Sequence, residues 1–112
     1  MGELDTYAEL AKESVDPSNG HFLADRLLKL SAASARTGEL LVEAEVVLLT
    51  AEKRIRESNQ AESQAEMAAL VRSLTIAEQA HFRRCVEIRR GLDMAFKAAQ
   101  SSLSYLKSEM RI

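Results

Sequence analysis

Hydrophobic residues recur every three or four positions along most of the chain, which is the spacing of amphipathic α-helices. Polar stretches rich in turn-forming residues interrupt this pattern twice, and the first contains the only proline. The pattern predicts a helix over 3–15, a turn over 16–20, a long helix over 21–57, a turn over 58–62 and a long helix over 63–110. We therefore expect a single all-α domain in which an antiparallel, coiled-coil-like helical hairpin carries a short N-terminal helix.

The first long helix has a heptad of inward positions that alternate in steps of three and four, as in a coiled-coil seam. These positions are Leu23, Leu27, Leu30, Ser34, Thr37, Leu41, Ala44, Leu48, Ala51 and Ile55. Further apolar residues widen the stripe beyond what one neighbouring helix can cover. We expect five of them to form an oligomer interface: Leu40, Val42, Val46, Val47 and Leu49.

The second long helix has its own heptad, which includes Leu74, Glu78, His81, Cys85 and Ile88. If the turn is centred on residues 59–60, the numbers of facing residues add to about 119. That register places His81 opposite Gly38 and Cys85 opposite Ser34, with Glu78, His81 and Cys85 facing inward. The N-terminal helix is then expected over the free end of the second helix, which carries Leu103, Leu106 and Met110.

Composition narrows the class of protein. The chain has 112 residues, of which 46% are hydrophobic and only 4% aromatic, which fits one small helical domain. A thin hairpin of this size buries too little apolar surface alone, so we expect a homo-oligomeric bundle. No run reaches the roughly 18 apolar residues of a membrane span. Cys85 is the only cysteine, which fits a reducing compartment, so we expect a cytoplasmic protein with no membrane association.

Glu78 and His81 have the Glu-x-x-His spacing of the metal-binding pairs in di-iron carboxylate bundles. The set needs further carboxylates from the first long helix, and the register places Glu39 and Glu43 on its outer face, with Glu45 a turn away. We therefore expect no metal or other cofactor and interpret His81 as part of a buried polar layer, while a di-metal site remains a third hypothesis. The inward placement also argues against a phosphoacceptor at His81 and a nucleophile at Cys85. An enzyme is not expected.

Basic residues collect on the outer face of the second long helix. Arg83, Arg90, Lys97 and Arg111 are spaced by sevens, and Arg84 and Arg89 lie beside that line. Residues 1–60 contain eleven acids and seven bases, whereas residues 61–112 contain six acids and eight bases. Such a ridge binds either phosphates or an acidic protein surface, including the acidic half of a second copy. The overall charge of −2 and the scarcity of aromatics favour protein over nucleic acid.

The segment "LSAASARTGELLVEAEVVLLTAEKRIRE", residues 30–57, resembles a helix of small all-α accessory proteins of unknown function encoded by tailed bacteriophages. In those proteins an L-x-E-A-E segment follows a turn rich in Ser, Ala and Thr. The resemblance implies a small intracellular helical module that acts beside replication, recombination or packaging proteins. It assigns no role to any residue.

The sequence as a whole therefore predicts a non-enzymatic interaction protein. The apolar stripe would associate with further copies, and the basic residues Arg83, Arg84, Arg89, Arg90 and Lys97 would engage an unidentified acidic protein partner. A nucleic-acid-binding accessory protein that uses the same residues is the alternative hypothesis.

Overall fold

The computed structural model of the protein describes residues 2–13 and 15–110, with Met110 described by its backbone alone. The described chain forms four helices and no strand. They are α1 (Glu3–Lys12), α2 (Gly20–Ser58), α3 (Gln64–Leu74) and α4 (Ile76–Met110). The long helices α2 and α4 pack against each other as a hairpin, which confirms the predicted all-α class.

The first turn ends α1 earlier than the pattern predicted. Its last residue is Lys12, Glu13 turns the backbone to an extended ψ of 136°, and Val15 is not helical, while Ser14 lies outside the described residues. The Asp16 carboxylate accepts hydrogen bonds from the backbone and hydroxyl of Ser18. These bonds hold the turn, and the Ser18 hydroxyl keeps the pKa of Asp16 below its usual range.

A side chain caps the start of α2. The side chain of Asn19 accepts a hydrogen bond of 3.0 Å from the backbone N–H of Phe22. A side-chain oxygen in this position satisfies one of the donors that a helix N-terminus leaves free. The cap therefore fixes where α2 begins.

The predicted helix over 63–110 is two helices, because the chain turns at Thr75. The Thr75 side chain is fully buried, and its hydroxyl donates to the carbonyl of Val71 at 2.7 Å. The Gln79 amide then donates to both the Thr75 hydroxyl and the carbonyl of Arg72. Side chains thus satisfy carbonyl groups that the end of α3 leaves without helical partners, which stabilises the break.

Contacts divide the chain into two units. The first contains the residues up to Gly38 and those from Glu87 onward, and the second contains Glu39–Val86. A cluster of buried apolar residues fills the first unit: Leu23, Leu30, Ala33, Ile88, Leu92 and Ala99. Residues of α1 pack against this cluster, and a methyl group at Gly91 would lie 3.7 Å from Cβ of Ala11. α1 therefore contacts the middle of α4 around Gly91, rather than the predicted stretch at Leu103 and Leu106, and the side chain of Met110 lies outside the described residues.

The second unit has a thinner core. Its buried residues are Ala44, Val71, Thr75 and Cys85, and none is larger than valine. The longer apolar side chains of this unit, such as Leu48 and Phe82, are half-buried. The second unit consequently leaves much of its apolar surface in contact with solvent.

Two contacts in the first unit define the register of the hairpin. The Ser34 hydroxyl donates to the Asp93 carboxylate at 2.8 Å, and the guanidinium of Arg89 lies against Gly38. The numbers of both pairs add to 127, so in the first unit the partner of an α2 residue lies about eight positions further along α4 than predicted. The proposed pairs of Gly38 with His81 and Ser34 with Cys85 are therefore wrong. The connection before α3, residues 59–63, has the predicted number of residues, whereas the helix break at Thr75 was not predicted and lies between that connection and the observed pairs.

Candidate functional site

The second unit carries an exposed apolar strip on α2, which we call the apolar ridge and define as Val42, Val46 and Leu49. These side chains are 59%, 57% and 55% exposed. At 3.6 residues per turn they form one line, about 140–160° around the helix axis from the buried Ala44. The ridge therefore points away from the core that α2 shares with the rest of its unit.

The other two residues predicted for the oligomer interface occupy different positions. Leu40 is half-buried on the inner side of α2, and Val47 is exposed on its flank, about 60° from Ala44. The five predicted residues consequently do not form one surface. Three of them make the ridge, one belongs to the core, and one lies between.

A groove lies elsewhere on the same unit. It has a volume of about 360 Å³ and is lined by Leu48, Gln79, Phe82, Arg83 and Val86. Three of these residues are apolar, and Arg83 is exposed where the groove meets solvent. The groove thus combines an apolar floor with a positive charge.

Acidic side chains flank the apolar ridge. Glu43 lies about 100° to one side of Val42 and Glu45 about 60° to the other, and both are exposed. Lys53 lies in line with the ridge, one turn beyond Leu49, and pairs with Glu57 at 3.9 Å. The ridge is therefore apolar along its centre and negative along its flanks at the Val42 end.

The five predicted partner-binding basic residues are divided between the units. Arg83 and Arg84 belong to the second unit, and both are exposed. Arg89, Arg90 and Lys97 belong to the first unit, where they are also exposed. Arg89 is not a purely outward residue, because its guanidinium packs over Gly38. Arg111 lies outside the described residues.

The expectation of a buried polar layer around His81 is wrong. His81 is exposed and Glu78 is half-buried, whereas Cys85 is fully buried. The inward face near the Thr75 turn passes through Val71 and Thr75, one position from the predicted Leu74, which is 54% exposed. One position corresponds to about 100° of rotation, which is enough to move His81 to the surface. Its inward placement therefore no longer argues against chemistry at that histidine.

His81 and Cys85 remain neighbours on one face of α4, with 3.9 Å between Nε2 of His81 and Sγ of Cys85. Burial raises the pKa of the Cys85 thiol and so favours its neutral form. Within the described part of the chain, no group of three or more His, Cys, Asp or Glu side chains could hold a metal ion. Among the same residues, no helix combines the length and apolar character that a membrane span requires.

One residue of functional interest is missed by the sequence interpretation. Arg26 is only 4% exposed, although it is a charged residue on α2. Its spacing is the available signal, because Leu23, Arg26 and Leu30 follow the same alternation of three and four as the buried leucines. A charge at such a position predicts a buried guanidinium.

Comparison with protein-family models, with curated proteins and with solved structures finds no match for this chain.

Proposed function

We propose that the protein is a non-enzymatic assembly protein that works by associating with further copies of itself through its second unit. The observation that carries the proposal is the position of the apolar ridge. Val42, Val46 and Leu49 lie on the side of α2 away from the core, each more than half exposed. A helix that carries apolar residues on the face opposite its core is typical of one that binds a second partner.

The thin core of the second unit supports the same proposal. Covering the exposed part of a valine or leucine side chain is worth about 1 kcal/mol, so burial of the ridge supplies a substantial part of the association free energy. Leu74 and Ile76 are also more than half exposed in this unit and add to the surface that a partner would cover. A second copy provides this cover without any other component.

Charge and shape identify a matching surface for the ridge. The groove lined by Leu48, Phe82 and Arg83 offers an apolar floor beside a positive charge. In the proposed contact the ridge of one copy enters the groove of another, and Arg83 approaches the carboxylates of Glu43 and Glu45. The acidic partner of the basic residues is then another copy of the chain.

Thermal unfolding at a series of protein concentrations tests this proposal. A chain whose second unit is completed by another copy has a melting temperature that rises with concentration, by mass action. Val46→Glu places a charge on the ridge without touching the core and should remove the dependence on concentration. Leu28→Glu is the matched control, because Leu28 is 73% exposed on α2 in the first unit, and it should keep the dependence. A wild-type melting temperature that is constant from micromolar to millimolar protein would refute self-association.

A titration with labelled nucleic acid distinguishes self-association from the alternative hypothesis, a nucleic-acid-binding protein. The proposal predicts no tight binding of single- or double-stranded oligonucleotides at moderate salt. Binding that weakens steeply with salt and is lost in Arg83→Gln would instead favour a nucleic-acid-binding protein.

A further inference from the structure

The first unit contains a buried charge that no part of the described chain fully satisfies. The guanidinium of Arg26 is 4% exposed, and its Nε atom is buried without a hydrogen-bond partner. It pairs with Glu13, whose Oε2 lies 3.4 Å from Nη1 and whose side chain is 52% exposed. A buried donor without a partner is costly, and arginine remains charged at every ordinary pH.

Arg26 lines a cleft of about 300 Å³ between α4 and the turn that follows α1. The wall is otherwise mostly apolar, formed by Ala95, Ala98 and Ala99 with Val15 and Pro17, and Ser102 contributes a hydroxyl. The cleft therefore combines a buried, incompletely paired guanidinium with a wall of small apolar side chains. This combination suits a ligand with an anionic end and an apolar end.

We propose that this cleft binds a small monocarboxylate with an unbranched apolar chain, whose carboxylate accepts hydrogen bonds from the guanidinium of Arg26. A planar carboxylate matches two parallel N–H groups of a guanidinium, and Glu13 engages this guanidinium through Nη1. The methyl groups of the alanines admit a slender chain more readily than a ring.

Glu13 favours ligands that carry a single negative charge. Its carboxylate already occupies one side of the same guanidinium, so a dianion such as phosphate would meet repulsion that a monoanion meets to a smaller degree. Glu13 consequently weakens the binding of every anion in the cleft. Its removal should strengthen that binding, which a purely structural ion pair would not do.

Titration of the full chain with sodium hexanoate, followed by amide chemical shifts, tests the proposal. We expect saturable shifts at residues that line the cleft, with a Kd of about 1 mM. Hexan-1-ol, which has the chain without the charge, and inorganic phosphate should each bind at least tenfold more weakly. Ionic strength is matched with sodium chloride throughout. Binding of hexanol or phosphate as tight as that of hexanoate would overturn the proposal, as would shifts no larger than those caused by chloride.

Three variants complete the test without depending on Arg26 itself. Ala98→Leu fills the cleft from an exposed position and should weaken hexanoate binding at least tenfold, whereas Ala35→Leu, exposed elsewhere on α2, should not. Glu13→Gln should tighten hexanoate binding severalfold. Unchanged affinity in Ala98→Leu, or weaker binding in Glu13→Gln, would contradict the proposal.

Discussion

The guanidinium of Arg89 lies against Gly38, where a methyl group would come within 3.4 Å of Cζ. Together with the hydrogen bond from Ser34 to Asp93, this contact fixes how α2 and α4 align in the first unit. It also changes the interpretation of both residues. Gly38 is a helix-interior glycine covered by a long side chain, and Arg89 is partly engaged within its own unit.

Replacing Gly38 with alanine should stabilise the protein. Alanine is favoured over glycine in a helix interior by about 1 kcal/mol. The three atoms nearest to the new methyl group all belong to the end of the flexible, exposed Arg89 side chain, which can move aside. Urea unfolding of Gly38→Ala should therefore show a free energy of unfolding raised by about 0.5–1 kcal/mol.

The control for this prediction is Ala35→Gly, at an exposed position one turn earlier on α2. It should lower the free energy of unfolding by about the same amount. If Gly38→Ala lowered the free energy of unfolding while Ala35→Gly had its expected effect, the Arg89 side chain would be shown unable to move away from the new methyl group.

The hydrogen bond between Ser34 and Asp93 should be measurable as a coupling energy. A neutral donor on a carboxylate contributes about 1 kcal/mol when partly shielded from water. A double-mutant cycle with Ser34→Ala and Asp93→Asn should give a coupling of about 0.5–1 kcal/mol, measured by urea unfolding. Additive effects of the two substitutions would contradict the alignment of α2 with α4.

Acid should weaken the attachment of α1. The hydrogen bond from Arg36, followed by that from the Tyr7 hydroxyl, lowers the pKa of the Glu3 carboxyl. A carboxyl whose pKa is lower in the folded state stabilises the protein above its unfolded pKa and loses this effect as pH falls through the folded pKa. Glu3→Gln should therefore be less stable than wild type at pH 7 and equal to it at strongly acidic pH.

The comparison for Glu3 is Glu9→Gln, which removes the same charge from an exposed position on α1. The difference in free energy of unfolding between wild type and Glu3→Gln should disappear as the pH decreases. The corresponding difference between wild type and Glu9→Gln should be smaller at neutral pH. A gap at neutral pH that persists below pH 3 would show that the contribution of Glu3 is not electrostatic.

Cys85 should react slowly with thiol reagents. Its side chain is fully buried, and burial raises the pKa of the thiol, so that both access and thiolate formation are suppressed. The rate of labelling in the native protein should be at least about a thousandfold below that in denaturant, because opening of the fold must come first. A Ser104→Cys variant in a Cys85→Ala background, with the new thiol at an exposed position, should react at nearly the unfolded rate.

Large apolar residues made much of the fold predictable from the sequence. Every predicted inward position of the first long helix, from Leu23 to Ile55, is buried or half-buried. On the second predicted long helix, Cys85 and Ile88 are buried as predicted, whereas Leu74 and His81 are exposed, so the prediction failed locally, around the break at Thr75. Thr75 is buried through a hydrogen bond to Val71 rather than through apolar character, and the apolar periodicity pointed to Leu74 instead.

The candidate sites were less predictable, for related physical reasons. The sequence indicates Val42, Val46 and Leu49 as interface residues, because apolar residues outside the heptad seam predict contact with a further partner. The five basic residues were identified as exposed charges, but their division between two units depends on tertiary contacts. Arg26 has no signal in composition, because its burial follows from the packing of α1 and the turn over α2 and α4.

Self-association through the apolar ridge is the central claim, and the molecular mass in solution tests it most directly. Light scattering on wild type, Val46→Glu and the control Leu28→Glu should be measured at equal concentrations, with helicity verified by circular dichroism. The account predicts that wild type and Leu28→Glu have a multiple of the chain mass of 12.4 kDa and that Val46→Glu has a lower mass. A wild-type protein of 12.4 kDa at high concentration, or an oligomer that Val46→Glu leaves intact, would contradict it.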